Sequence, residues 1–82
     1  MKNEYFIEVT DLFGDEANYS WVHRFMVSAT TERGAMRKVG QRMGNYWKKT
    51  MDTGDFQRWD SGGICAFVQS PDNCGMCKVE TL

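Results

Sequence analysis

The sequence predicts an α+β fold: a single antiparallel β-sheet with one helix packed on one face, in the order β-β-α-β-β-β. Apolar residues recur at every second position on both sides of a central segment, and only that segment has helical spacing. The chain has 82 residues, 41% apolar and 26% charged, which is typical of one globular domain and too apolar for a disordered chain. We expect residues 1–70 to form the domain and residues 71–82 to be a C-terminal tail or a short edge strand.

The first two strands are predicted from alternation. Over residues 4–10, Tyr5, Ile7 and Val9 alternate with polar residues, which indicates a half-buried strand. Residues 11–18 contain turn-forming residues and predict a loop. Residues 19–28 resume the alternation, so the two strands are expected to form an antiparallel hairpin.

The helix follows directly, with Thr30 as the expected N-cap and Gly44 as the expected left-handed residue at its end. Gly40 weakens a helix, so we expect it to serve a close approach of another segment. One stripe along the helix is apolar and is predicted to face the sheet. It consists of Ala35, Met36, Val39 and Met43.

Three further strands are predicted at residues 46–51, 56–60 and 64–69, with turns at residues 52–55 and 61–63. One helix covers only one face of such a sheet, yet the strands place aromatic residues on both. Two interpretations follow. Some rings form an exposed contact surface, or they fill a second small core under the 11–18 loop or the tail.

The net charge of −1 conceals a strong segregation. Residues 17–49 carry seven Lys or Arg and one Glu, whereas both flanking segments are acidic. We therefore predict a binding surface with a basic part and an aromatic part. The basic residues are Arg33, Arg37, Lys38, Arg42, Lys48 and Lys49, with the four helical ones pointing to solvent, and the aromatic residues are Trp21, Tyr46, Trp47 and Trp59.

A protein or nucleoprotein partner is the leading interpretation of this surface, because segregated charge steers protein association. Direct nucleic-acid binding is the alternative, with basic residues on phosphates and aromatic rings on bases. A third interpretation is that the acidic end strands lie beside the helix and neutralise it. A homodimer through an exposed edge strand is compatible with the sequence.

The cysteines allow a zinc-stabilised interaction module. Cys74 and Cys77 form a C-x-x-C pair, and Cys65 and His23 would complete a Cys₃His set. A disulfide within the trio and free thiols are the other readings. The C-x-x-C pair is not followed by a helix that would stabilise a thiolate, which argues against a redox role. Since no nucleophile has a base and an orienting partner at recognisable spacing, we expect no enzymatic activity and no other cofactor.

The sequence contains neither an apolar run of about 18 residues, as a membrane span needs, nor a basic start followed by an apolar stretch. We therefore expect no membrane association and a cytoplasmic location.

The chain also resembles small phage-encoded orphan proteins of the anti-CRISPR type. The resemblance lies in the opening strand Tyr5–Val9, in a second strand that runs into the helix over Val27–Ala35, and in the following Trp-containing strands. It covers residues 5–69 in pattern, without a family-specific motif. It implies one helix on an antiparallel sheet and a non-catalytic inhibitor that occupies a partner-binding or nucleic-acid-binding surface of a host complex.

Overall fold

In the part of the chain that the structure describes, six β-strands and one α-helix build the fold, which confirms the predicted class. The computed structural model describes residues 2–14, 16–54, 56–74 and 78–82, with residues 73 and 74 described at the backbone only. The elements in chain order are β1 (Asn3–Phe13), β2 (Glu16–Ala29), α1 (Glu32–Met43), β3 (Lys48–Asp52), β4 (Gln57–Ser61), β5 (Ile64–Gln69), a short 3₁₀ helix (Pro71–Cys74) and β6 (Glu80–Thr81).

The strands form one sheet in the order β3-β4-β5-β1-β2-β6. All neighbours are antiparallel except β6, which runs parallel to β2, so the prediction of a purely antiparallel sheet is wrong in this detail. Leu82 donates its backbone N–H to Met26 O and accepts from Ser28 N, which fixes the C-terminal residues along the outer edge of β2. Residues 80–81 pair with the backbone groups along the outer edge of β2. They therefore form the edge strand on this side of the sheet.

The β1–β2 hairpin is longer than predicted, and the expected loop at residues 11–18 is wrong. The ladder resumes beyond Thr10 at the pair Leu12–Ala17, so both strands continue nearly to the hairpin end. β2 accommodates its extra residues in a bulge, where Tyr19 has a φ of 56°. Asp11, one of the polar residues that suggested a loop, instead accepts a hydrogen bond from the Ser20 N–H in this bulge.

Thr10 and Asp11 hold the bulge together. The Thr10 hydroxyl is fully buried, donates to Trp21 O and accepts from Tyr19 N. The Asp11 carboxylate accepts from the Ser20 N–H and hydroxyl and from the Asn18 amide. The hydrogen bonds from the Ser20 and Asn18 side chains are the main reason that the pKa of Asp11 falls from 3.8 to about 2.

The helix begins one residue later than predicted. Thr31, not Thr30, is the N-cap: its backbone is extended, and its side chain accepts from Gly34 N at 3.0 Å. At the other end Gly44 has a φ of 78°, which confirms the left-handed residue expected there.

The core lies between α1 and one face of the sheet. The predicted helical stripe is confirmed: Ala35, Met36 and Val39 are buried and Met43 packs against them. The strand residues that complete this core are Ile7, Val9, Phe25, Val27, Ala29, Trp59, Ala66 and Val68.

The opposite face of the sheet carries two phenylalanine rings, Phe6 on β1 and Phe67 on β5, and neither is classed as exposed. Phe6, Thr10 and Cys65 are buried there among charged and polar neighbours. One such neighbour is the pair of Arg24 and Glu8, 3.0 Å apart across β1 and β2. Two salt bridges, Arg24–Glu8 and Arg58–Asp60, thus lie on this face.

At Gly40, the segment that follows the helix packs closely against the helix. A Cβ on Gly40 would lie 2.5 Å from the backbone oxygen of Asn45 and 3.4 Å from Trp47 Cδ1, which confirms the predicted close approach. The Gly40 carbonyl also accepts from the N–H groups of both Gly44 and Asn45. The return of the chain across α1 therefore depends on the missing side chain.

Gly40→Ala is expected to destabilise the fold by about 1–3 kcal/mol, because the clash with a backbone atom forces the Asn45 segment away. Thermal and urea unfolding followed by circular dichroism measure this. Gly34→Ala is the matched control, since its Cβ would meet a Thr31 side-chain atom at 3.3 Å and no backbone atom within 4 Å. A Gly40→Ala protein as stable as the parent would contradict the close approach.

Asp11→Asn is expected to lower the melting temperature at neutral pH and to make stability less dependent on pH in acid. Asp11 protonates near 3.8 in the unfolded chain but near 2 when folded, so its stabilising effect is complete above the first value and lost as the pH falls through the second. The difference in melting temperature between parent and variant should therefore shrink from about pH 5 to about pH 2. A constant difference over that range would rule out the ionised Asp11 as the cause.

Glu4→Gln is the control for this measurement. It removes an exposed carboxylate from the same strand, and the Glu4 side chain has no hydrogen-bond partner among the residues that the structure describes. We expect its melting curve to follow that of the parent at each pH.

Candidate docking site

The basic residues predicted for the binding surface, which we call the basic block, fall into two sets according to whether they have a partner. Arg42 forms a two-pronged contact with Glu80 on β6, and Lys49 lies 3.2 Å from Asp52. Lys38 is half-buried and donates to Ser28 O. Arg42 is exposed, as predicted, but it is paired, and Lys38 is only half-exposed because its ammonium group reaches the backbone of β2.

Arg33 and Arg37 form the second set and lie four residues apart on the exposed side of α1. Within residues 2–14, 16–54, 56–74 and 78–82, neither has a carboxylate partner. Lys48 on β3 is likewise exposed and unpaired among those residues. The acidic ends of the chain thus neutralise part of the basic block and leave these cations available.

A groove of about 420 Å³ runs along the same side of the helix. Met36 and the buried Trp59 line it from the core, and Tyr46 and Trp47 line it from the segment that follows α1. Its other lining residues are Arg33, Arg37, Gly40, Gln41 and Asn45. We call this feature the docking groove.

The four aromatic residues predicted for the binding surface differ in exposure and in position relative to the docking groove. Tyr46 is 95% exposed, and Trp47 is half-buried against the core. Trp59 is only 5% exposed, so its prediction as a surface anchor is wrong: it faces α1 and its Nε1 donates to Gln57. Trp21 is 43% exposed but belongs to β2, outside the groove lining.

Gln41 and Asn45 also line the docking groove, although they are not among the predicted site residues. Asn45 matters most, because its Oδ1 and the Nε1 of Trp47 are both buried without a hydrogen-bond partner among the described residues. In the sequence, Gly40 and Gly44 are the residues that indicate the path of this segment. A glycine in the helix and another at its end indicate that the chain folds back, but not which atoms it buries.

A second hollow adjoins the docking groove at the start of the helix. It is lined by Thr31, Glu32 and Arg33 from the helix end, and by Lys49, Gln57 and Trp59 from the sheet. Lys49 Nζ lies 6.0 Å from the centre of the Trp59 ring. Arg33 and Trp59 line both hollows, which makes them one continuous surface between α1 and strands β3 and β4.

The structure separates the predicted zinc ligands. Cys65 pairs with Thr10 in the ladder and His23 pairs with the adjacent Val9, so their side chains lie on opposite faces of the sheet. The four-residue set is therefore wrong, since one ion cannot contact both faces. Cys77 lies outside the described residues, as does the side chain of Cys74.

His23 and Cys65 each have a structural environment instead. His23 stacks on Phe25, with ring centres 4.3 Å apart, and its Nε2 lies 3.1 Å from Glu80. Burial raises the pKa of the Cys65 thiol, which favours the protonated form. Among the described residues, no cluster of three or more His, Cys, Asp or Glu could hold a metal ion.

Comparison of the chain with protein-family models, with curated proteins and with solved structures found no match. In the described part of the chain, no helix has the length and apolar character needed to cross a membrane. The geometry of the docking groove is therefore the basis for a functional proposal.

Proposed function

We propose that this protein is a non-catalytic binding protein that docks on a host protein or nucleoprotein complex through the docking groove. One observation carries the proposal: Arg33 and Arg37, which have no carboxylate partner among the described residues, line the same groove as Tyr46, which is 95% exposed. Tyr, Trp and Arg are the residue types that most often dominate the binding energy of protein interfaces.

The composition of the groove supports binding rather than catalysis. Its apolar floor consists of Met36 and Trp59, and its titratable lining residues among those described are Arg33, Arg37 and Tyr46. An arginine stays protonated in proteins and does not act as a general base at neutral pH. A carboxylate, imidazole or thiol, which most acid–base and nucleophilic mechanisms use, is absent from the described lining.

Direct nucleic-acid binding is the second candidate, and Tyr46 is the observation that favours it. An exposed ring beside two free cations can stack on a base while the cations contact phosphates. The pairing of Arg42 with Glu80 and of Lys49 with Asp52 leaves few cations for such a polyanion. A protein partner with a limited acidic patch therefore fits the groove better.

We extend the proposal to an inhibitor that acts in the host cytoplasm, as phage-encoded proteins of the anti-CRISPR type do. The support for this extension is the resemblance in element pattern over residues 5–69. In this form the chain would block a host complex by covering its working surface, without a chemical step.

The combined change of Arg33→Glu and Arg37→Glu is expected to abolish partner binding while the fold survives, because both side chains are exposed. The tagged parent and variant are used to capture proteins from host cells, and proteins enriched by the parent are identified by mass spectrometry. The affinity of the purified partner for both forms is then measured by titration calorimetry. We expect a loss of at least about 100-fold.

Lys2→Glu with Lys78→Glu is the matched control, because it makes the same change in net charge at two exposed residues outside the groove lining. The control should retain the partner. Equal binding by the parent and the Arg33/Arg37 variant would refute the proposal. A steep loss of affinity for a short oligothymidylate between about 50 and 200 mM salt would favour the nucleic-acid candidate instead.

A further inference from the structure

We infer that the docking groove recognises an extended acidic peptide segment of the partner, with two carboxylates separated by one residue. This inference rests on the proposed function and adds the chemistry of the segment that is bound. Three features of the groove support it: the spacing of its two arginines, a donor and an acceptor that are buried without partners among the described residues, and the carboxylate of the adjoining hollow.

The spacing of Arg33 and Arg37 matches an extended chain. Residues four apart in an α-helix are separated by about 6 Å along its axis. In an extended peptide, side chains two residues apart are separated by about 6.6 Å and point the same way. A Glu-x-Glu segment running along α1 can therefore bring one carboxylate to each guanidinium, in the two-pronged geometry that arginine favours.

The two unpaired buried atoms are complementary to a peptide backbone. Trp47 Nε1–H is a donor and Asn45 Oδ1 is an acceptor, and both residues line the groove. A peptide unit offers a C=O to the first and an N–H to the second, whereas a phosphate diester offers only acceptors. Burying such groups unpaired is unfavourable, so a ligand that pairs them gains affinity.

Both atoms are shielded in the empty groove, so the side chains of Asn45 and Trp47 must turn toward the ligand. Tyr46, which lies between them, is 95% exposed and offers little packing to resist this movement. We therefore expect the segment 45–47 to shift when the groove is occupied, while Gly40 keeps it close to the helix.

The surroundings favour a short acidic segment over a polyanion. Glu32 lines the adjoining hollow beside Arg33, and Lys49, the other cation of that hollow, is paired with Asp52. A nucleic-acid strand continuing past Arg33 would meet the Glu32 carboxylate and a lysine that already has a partner. A peptide with two carboxylates ends its charged contacts at the two unpaired arginines.

The three tryptophans provide a direct test. The indole N–H signals of the parent are followed by heteronuclear NMR during titration with the peptide acetyl-Gly-Glu-Leu-Glu-Leu-Gly-amide. We expect only the Trp47 signal to move strongly. Trp21 lies outside the groove lining and is the internal control. Trp59 lines the groove, but its Nε1 already donates to Gln57, so its signal should move less than that of Trp47.

Two variants measure the separate contributions. Trp47→Phe assigns the signal, keeps an aromatic ring and removes the donor, and it should weaken the peptide about 3- to 10-fold. Arg37→Gln should weaken the Glu-Leu-Glu peptide about 10-fold and a peptide with a single Glu much less. Melting temperatures close to the parent establish that both variants are folded.

The inference is overturned if the peptide fails to bind at millimolar concentration or binds without moving the Trp47 signal. It is also overturned if a control peptide, in which Lys replaces both Glu residues, binds equally well. An oligothymidylate that moves the Trp47 signal at lower concentration than the peptide would overturn it in favour of nucleic acid. These outcomes are separable from failure of the proposed function. A partner that depends on Arg33 and Arg37 would still be captured when the peptide does not bind.

Discussion

A single helix has to cover a six-stranded sheet, and most other features depend on this constraint. Twelve helical residues span about 18 Å, whereas six strands at about 4.8 Å spacing are about 24 Å wide. α1 packs on Trp59 of β4, and all five residues of the edge strand β3 beyond it are exposed. The uncovered strip between the helix and these strands is the docking groove.

The exit from the helix completes the groove. Because Gly40 has no side chain, the chain returns across α1 and places Asn45 and Trp47 against it. The returning segment lies along part of the strip between α1 and strands β3 and β4. It also buries two polar atoms that have no hydrogen-bond partner among the described residues. The same backbone approach thus supplies the aromatic wall of the groove and its unsatisfied hydrogen-bonding groups.

Electrostatics acts on the two sides of the helix in different ways. On the side of β2 and β6, Glu80 binds both Arg42 and His23, and hydrogen bonds from these side chains, Arg42 first, lower the pKa of Glu80. On the side of β3 and β4, Arg33 and Arg37 have no such partner in the described chain. Pairing on the side of β2 and β6 therefore gives the helix a neutralised side and a cationic side.

The sequence by itself determined the fold class, the strand β5 at residues 64–69 and the apolar stripe of α1, because these depend on local periodicity. It also determined the close approach at Gly40 and the left-handed end of the helix at Gly44, because these depend on backbone conformation. Tertiary structure alone decided the rest. It buried Trp59, placed Cys65 and His23 on opposite faces, paired Arg42 with Glu80, and turned a predicted loop into a bulged hairpin. Each of these depends on contacts between residues distant in the chain, where strand register and the position of the C-terminal strand determine which side chains meet.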